Sequence, residues 1–167
     1  FNLTSDSGGN KYFVSDRGGI YPSEMPSLRI DAKNKYYSDE KSDYTDREYF
    51  SVYKQDTTGY ITELVSNVPG TYNFSDPSCE KGQGILFYSI TRDIKKVKRR
   101  EDIVVQPEIY YSKLNQDGTL EGFYPVPFND SLSYSVMNPY VDEEAKRLYF
   151  TSDMPGGLGG TDLYYAV

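Results

Sequence analysis

Three prolines stand at the same distance from an aromatic residue, and this spacing constrains the fold more than any other feature. Pro26, Pro77 and Pro139 each precede an aromatic residue by ten positions, and those residues are Tyr36, Phe87 and Tyr149. Each interval holds a short run of strand-favouring residues, a polar turn and an aromatic run. Such internal periodicity predicts repeated structural units that stack on one another. We expect each proline at or just before the first strand of its unit, where a missing N–H is tolerated.

The second half of each unit also recurs. Two adjacent aromatic residues precede a small residue in Tyr49-Phe50-Ser51, Tyr110-Tyr111-Ser112 and Tyr164-Tyr165-Ala166. In the first two units a turn containing Asp and Gly then leads to a further strand, which is a strong hairpin signal. In the third unit we expect strands over 148–152 and 162–166, with the glycine-rich stretch Met154–Gly160 as the turn between them.

Four consecutive antiparallel strands at this period are typical of β-propeller blades. The sequence therefore predicts an all-β, partial β-propeller of about two and a half to three blades. The blades span 24–70, 71–128 (with a basic insertion) and 129–167 (incomplete), while 1–23 is the remnant of a preceding blade or a closing strand. An open ring would expose unpaired strand edges, so we expect this chain to be a piece of a larger protein, or of the ordered part of one.

The adjacent aromatic residues are expected to point to opposite faces of each blade and to be buried between neighbouring blades. This arrangement would account for 18 Tyr and 8 Phe in a chain without Trp. The side chains predicted to be mostly buried are Tyr49, Phe50, Tyr110, Tyr111, Tyr149 and Phe150.

Composition argues against several classes of function. A net charge of −7 disfavours general nucleic-acid binding, which needs a basic footprint. The chain contains no His, so Ser-His-Asp and Cys-His constellations and His-based zinc sites cannot form within it. We expect Cys79 to be structural and the acidic loop 38–46 to be solvated rather than a calcium site. The sequence predicts no enzyme, catalytic residue, cofactor or metal site.

A basic segment lies in the insertion between Phe87 and Tyr110, and it is the candidate contact with a partner. We expect an exposed loop between the second and third strands of its blade. Two interpretations stay open: a solvated insertion, or a contact with an acidic protein surface or anionic lipid head groups. Its candidate binding residues are Lys95, Lys96, Lys98, Arg99 and Arg100.

Residues 125–167 resemble the TolB-type, WD40-like propeller repeats of OmpA-family proteins of Bacteroidota. The likeness is carried by Tyr149–Tyr164, and by Pro125–Asn129 followed by Tyr134-Ser135-Val136. It is weaker over 24–124. The motif Asp130-Ser131-Leu132 also resembles the O-glycosylation acceptor of Bacteroidota, which makes Ser131 a candidate modification site.

The resemblance implies a non-catalytic interaction scaffold in the periplasm, associated with the outer membrane and without a membrane-spanning segment. Some family members resemble the periplasmic component of type IX secretion and gliding machinery. Their resemblance implies an outer-membrane PorP-like barrel, or another secretion component, as the protein partner. Peptidoglycan would be bound only through a domain outside this chain.

Two alternatives stay open from the sequence. One is the gating propeller of a prolyl-oligopeptidase-type hydrolase, whose catalytic domain would lie outside this chain. The other is a glycan-binding propeller, since exposed tyrosines can stack on sugars.

Overall fold

A computed structural model of the chain describes residues 2–16, 28–30, 36–38, 49–92 and 104–167. The described residues form strands and turns without a helix, so the prediction of an all-β fold is confirmed. No segment among them forms a helix of the length and apolarity that crossing a membrane requires. The strands are β1 (Leu3–Ser5), β2 (Lys11–Ser15), β3 (Leu28–Ile30), β4 (Tyr36–Ser38), β5 (Ser51–Gln55), β6 (Ile61–Leu64), β7 (Thr71–Glu80), β8 (Ile85–Arg92), β9 (Glu108–Leu114), β10 (Leu120–Pro125), β11 (Val136–Asp142), β12 (Arg147–Ser152) and β13 (Asp162–Ala166).

These strands form three antiparallel sheets and one separate hairpin. The first sheet has the order β1-β2-β5-β6, the second β7-β8-β9-β10 and the third β11-β12-β13, while β3 pairs only with β4. The second and third sheets are meanders of consecutive strands, whereas in the first sheet β3 and β4 intervene in the chain between the neighbours β2 and β5. The strands predicted over 148–152 and 162–166 are confirmed as β12 and β13.

The first sheet differs from the predicted unit over 24–70. Its first two strands come from residues 3–15, which the sequence analysis assigned to the remnant of a preceding blade, and the hairpin β3–β4 stays outside it. The reason is burial, because pairing β2 with β5 places Tyr12 and Val14 on the face that packs against the second sheet. Tyr12 is fully buried there. The sheet that contains β5 and β6 thus begins within residues 1–23, while the blade boundaries themselves stay a prediction.

Pro77 and Pro139 occupy equivalent positions, but they lie within β7 and β11 rather than at or before their first residues. In each strand the pairing register breaks beside the proline, and the residue before it has a positive φ. These residues are Asp76 (φ 51°) and Asn138 (φ 55°). A bulge accommodates a residue that has no N–H to give to the ladder. Pro26 lies outside the described residues.

The second sheet is covered on both faces. On one face Leu86, Tyr88 and Ile90 pack in a cluster with Tyr12 and Val14 of the first sheet. Phe87 and Tyr111 belong to the opposite face and pack in a cluster with Phe150 and Tyr164 of the third sheet. The three sheets therefore stack face to face in sequence order, and the apolar cores lie between them.

A repeated hydrogen bond joins the first strands of successive sheets. The Thr4 hydroxyl in β1 accepts the Cys79 N–H in β7 at 3.1 Å. The Ser78 hydroxyl in β7 accepts the Val141 N–H in β11 at 3.0 Å. We call these two contacts the hydroxyl pins. Ser78 directly follows Pro77 in β7. The equivalent residue of the third sheet, which directly follows Pro139 in β11, is Tyr140.

The six aromatic residues predicted to be buried have different environments. Phe150 and Tyr110 are buried, whereas Phe50 is 48% exposed, so the prediction was wrong for Phe50. The remaining three side chains are partly buried. Phe50 departs from the pattern because it precedes β5, in the segment where the first sheet meets β7.

The glycine-rich loop between β12 and β13 closes around two side chains of β13. Asp162 accepts the Leu158 N–H at 2.8 Å, and the Tyr164 hydroxyl donates to the Met154 carbonyl at 3.2 Å. A Cβ at Gly157 would clash with the Asp162 carboxylate and the Tyr164 hydroxyl. This stretch is thus a turn in which Gly157 leaves room for the Asp162 carboxylate and the Tyr164 hydroxyl.

Candidate functional site

The candidate residues from the sequence do not come together in one described site. The basic candidates Lys95, Lys96, Lys98, Arg99 and Arg100 lie outside the described residues. The acidic loop predicted to be solvated lies outside them as well, apart from the backbone of Ser38. Ser131 is described and is only 7% exposed, so glycosylation of its hydroxyl would require the loop around it to open.

The residues that flank the basic segment are well anchored. The Arg92 guanidinium pairs with Glu108 at 2.8 Å and lies 5.9 Å from the centre of the Tyr110 ring. The Glu108 side chain is only 7% exposed. The segment that carries the predicted contact is therefore attached to the ends of two neighbouring central strands of the second sheet.

One cavity of about 640 Å³ lies among the first strands of the three sheets. Its lining comes mainly from β1, β7 and β11, with Lys11 at the start of β2 and Lys81 and Glu143 in turns among its charged residues. Glu143 accepts the Lys81 N–H at 2.9 Å across this cavity wall. Both signs of charge are present here, so this cavity favours no single class of ligand.

A second cavity, of about 450 Å³, lies where all three sheets meet near the proline bulges, and we call it the apolar cavity. Its lining is largely apolar. The apolar residues that line it are Val14, Phe50, Ile90, Pro107 and Met137. Thr91 also lines it, so the apolar cavity is adjacent to the point where the chain enters the basic segment after Arg92.

Phe50 is held in this cavity wall by its backbone. Its N–H donates to the Asn73 side-chain oxygen at 3.1 Å, and its carbonyl accepts the Phe74 N–H at 2.9 Å. Both groups belong to β7, so the first and second sheets position the ring together. A half-exposed aromatic ring with a fixed backbone is the kind of side chain that anchors protein interfaces.

Asp76 is the one charged residue among the described residues that line the apolar cavity. Its backbone is held at a φ of 51° beside the bulge, and its carboxylate accepts the Ser75 hydroxyl at 3.0 Å. Asp and Asn are the residues that most readily tolerate positive φ. The dipeptides Asp76-Pro77 and Asn138-Pro139 were therefore a readable sequence signal for the two bulges, and this signal was missed.

The outer face of the third sheet carries three tyrosines in cross-strand register. Tyr140 pairs with Tyr149, and Tyr149 pairs with Tyr165, with ring centres 6.4 and 6.0 Å apart. The Arg147 guanidinium lies 4.7 Å from the centre of the Tyr165 ring. Neighbouring rings are tilted by 41° and 48° relative to each other.

The one cysteine of the chain, Cys79, is buried. Burial raises the pKa of the Cys79 thiol to about 12, which keeps it protonated at neutral pH. Within the described part of the chain, no three His, Cys, Asp or Glu side chains lie close enough to hold a metal ion.

No protein-family model matches this chain, and no curated protein matches it.

Proposed function

We propose that the three stacked sheets are consecutive blades of a β-propeller. The support comes from the meander order of the second and third sheets, the bulges at Pro77 and Pro139, and the hydroxyl pins, which repeat the same contact at both steps between sheets. The first strands β1, β7 and β11 also lie together around the larger cavity, as innermost strands would around a central channel.

On this basis the function that the geometry supports best is a non-catalytic protein-interaction scaffold. The single observation that carries this proposal is the apolar cavity, which all three sheets line and at which Phe50 stands half exposed. Apolar cavities with a few fixed polar groups are the usual form of binding sites. Loops and side chains at such a junction are held in place by the surrounding sheets, which favours recognition of a partner.

The proposed setting is the periplasm, in association with the outer membrane. It rests on the resemblance of residues 125–167 to TolB-type repeats of OmpA-family proteins. The proposed role is an accessory component of type IX secretion or gliding machinery, and the proposed partner is a PorP-like barrel or another secretion component.

The test uses the purified chain as bait for the envelope proteins of the cells that encode it, with captured proteins identified by mass spectrometry. Phe50→Ser should remove the specific partner, because an aromatic anchor contributes at least about 2 kcal/mol, or roughly thirtyfold in Kd. Phe123→Ser is the matched control, since Phe123 on β10 is similarly exposed at 43%. Capture of the same partners by the Phe50→Ser protein would refute the cavity as the docking site.

A second variant in the same capture experiment tests the basic segment. Reversal of Lys96, Lys98 and Arg100 to Glu should weaken a contact with an acidic surface while leaving the melting temperature nearly unchanged. The same contact should weaken as salt rises, because exposed charges are screened within about 8–10 Å near physiological ionic strength. If the reversed protein still captures every partner that the parent captures, the basic segment is a solvated insertion and not a contact.

A further inference from the structure

We infer that the apolar cavity binds a basic side chain, arginine or lysine, presented by the protein partner. This inference rests on the proposed function and names the chemistry of the group that the cavity receives. It is carried by the placement of one carboxylate, that of Asp76, in a cavity whose other described lining residues are uncharged.

The Asp76 carboxylate has capacity for a cation. A carboxylate offers about four acceptor positions, and the contact made to it by the described residues is the one hydrogen bond from the Ser75 hydroxyl. No lysine or arginine is among the described residues that line the cavity. A cationic ligand would therefore complement the charge of the cavity, whereas an acidic ligand would be repelled by it.

The backbone holds this carboxylate in a defined place. Asp76 lies in the bulge between Ser75 and Ser78, where β7 and β8 lose their regular register. Pro77, fully buried, follows directly and fixes the chain on that side. A group that is positioned before binding costs less ordering entropy when the ligand arrives.

The apolar walls suit the stem of a basic side chain. Lysine and arginine lay their methylene groups along apolar surface while the charged head meets a polar partner. Phe50 offers an exposed ring for a cation–π contact, and Met137 and Pro107 line the same cavity. A purely apolar ligand would bury the Asp76 carboxylate with no cation beside it and with the Ser75 hydroxyl as its hydrogen-bond donor among the described residues, which is costly.

The test is a titration of the isotopically labelled chain with N-acetyl-arginine-N-methylamide, followed by amide chemical shifts. The matched probe is the citrulline analogue, which has nearly the same shape without the charge. We expect saturable shifts at Phe50, Asn73 and Asp76 with arginine, and binding of citrulline weaker by about tenfold or more. Equal binding of the two probes, or shifts that map elsewhere, would overturn the inference.

Asp76→Asn supplies the matched variant, because Asn tolerates the same positive φ and leaves the bulge intact. It should lose the preference for arginine over citrulline. Glu121→Gln is the control, since it removes one carboxylate from an exposed position on β10. An Asp76→Asn protein that still prefers arginine would overturn the inference.

The two proposals can fail separately. If Phe50→Ser removes the partner but the chain shows no arginine-specific shifts, the scaffold function stands and the inference about the ligand is wrong. If arginine binds as expected but Phe50→Ser captures every partner, the cavity takes the basic side chain and the docking proposal is wrong.

Discussion

Replacing Thr4 by valine removes one hydroxyl pin without changing the shape of the side chain. The Cys79 N–H then loses its acceptor, while Cys79 itself is only 6% exposed. A buried donor left without a partner costs about 1–3 kcal/mol. For a chain of this size, that loss lowers Tm by roughly 2–4 °C for each kcal/mol.

The second pin gives an internal comparison. Ser78→Ala leaves the N–H of Val141 without its acceptor, but Val141 is partly exposed, so water can replace the lost bond. We expect a cost near the lower end of the range, about 1 kcal/mol. Thr4→Val is therefore expected to lose more unfolding free energy than Ser78→Ala, because Cys79 is more deeply buried than Val141.

Urea unfolding followed by tyrosine fluorescence measures both variants, since the chain has 18 Tyr and no Trp. Ser133→Ala is the control, because Ser133 is exposed and removal of its hydroxyl should change the free energy of unfolding little. A Thr4→Val protein within about 0.5 kcal/mol of the parent, or a Ser133→Ala protein that loses as much, would refute the pins as stabilising contacts between sheets.

Two further predictions concern turns. Gly157→Ala should destabilise the third sheet by on the order of 1–3 kcal/mol, because its Cβ would clash with the Asp162 carboxylate and the Tyr164 hydroxyl; an unchanged Tm in thermal unfolding would contradict this. Asp6→Asn should flatten the loss of stability in acid. Partial burial alone would raise the pKa of Asp6, but hydrogen bonds from Asn10 and Tyr12 outweigh it and lower that pKa. A lowered pKa in the folded state gives stability that is present above the unfolded pKa and lost as pH falls through the folded pKa. Free energies of unfolding measured from about pH 5 to pH 2 should therefore fall less steeply in the variant, and identical slopes would contradict the prediction.

The second and third sheets could be predicted from the sequence because their signals are local. The turns at 80–84 and 142–146 lie between strand pairs that are adjacent in the chain, as do the turns before β10 and β13. The first sheet could not be assigned in this way. Two hairpins, 3–15 and 28–38, fit the strand pattern equally well, and only burial of Tyr12 and Val14 against the second sheet decides between them.

The apolar cavity was beyond prediction for a related reason. Val14, Asp76 and Met137 lie far apart in the sequence and meet only because three sheets stack. Short-range sequence patterns do not predict which distant residues meet at such a junction. Phe50 shows the same limit, since its aromatic neighbour suggested a buried strand, whereas its backbone is bound by Asn73 and Phe74 at the start of the next sheet.

The hydroxyl pins and the proline bulges have a consequence for solubility. The first strand of each sheet is an edge, and an edge with free N–H groups is a template on which another chain can add and aggregate. Pro77 and Pro139 have no N–H, the N–H groups of Cys79 and Val141 are bound by the pins, and the Asn138 N–H is bound by Ser89. The same contacts that join the sheets thus occupy N–H groups on the β7 and β11 edges, which makes strand addition there less favourable.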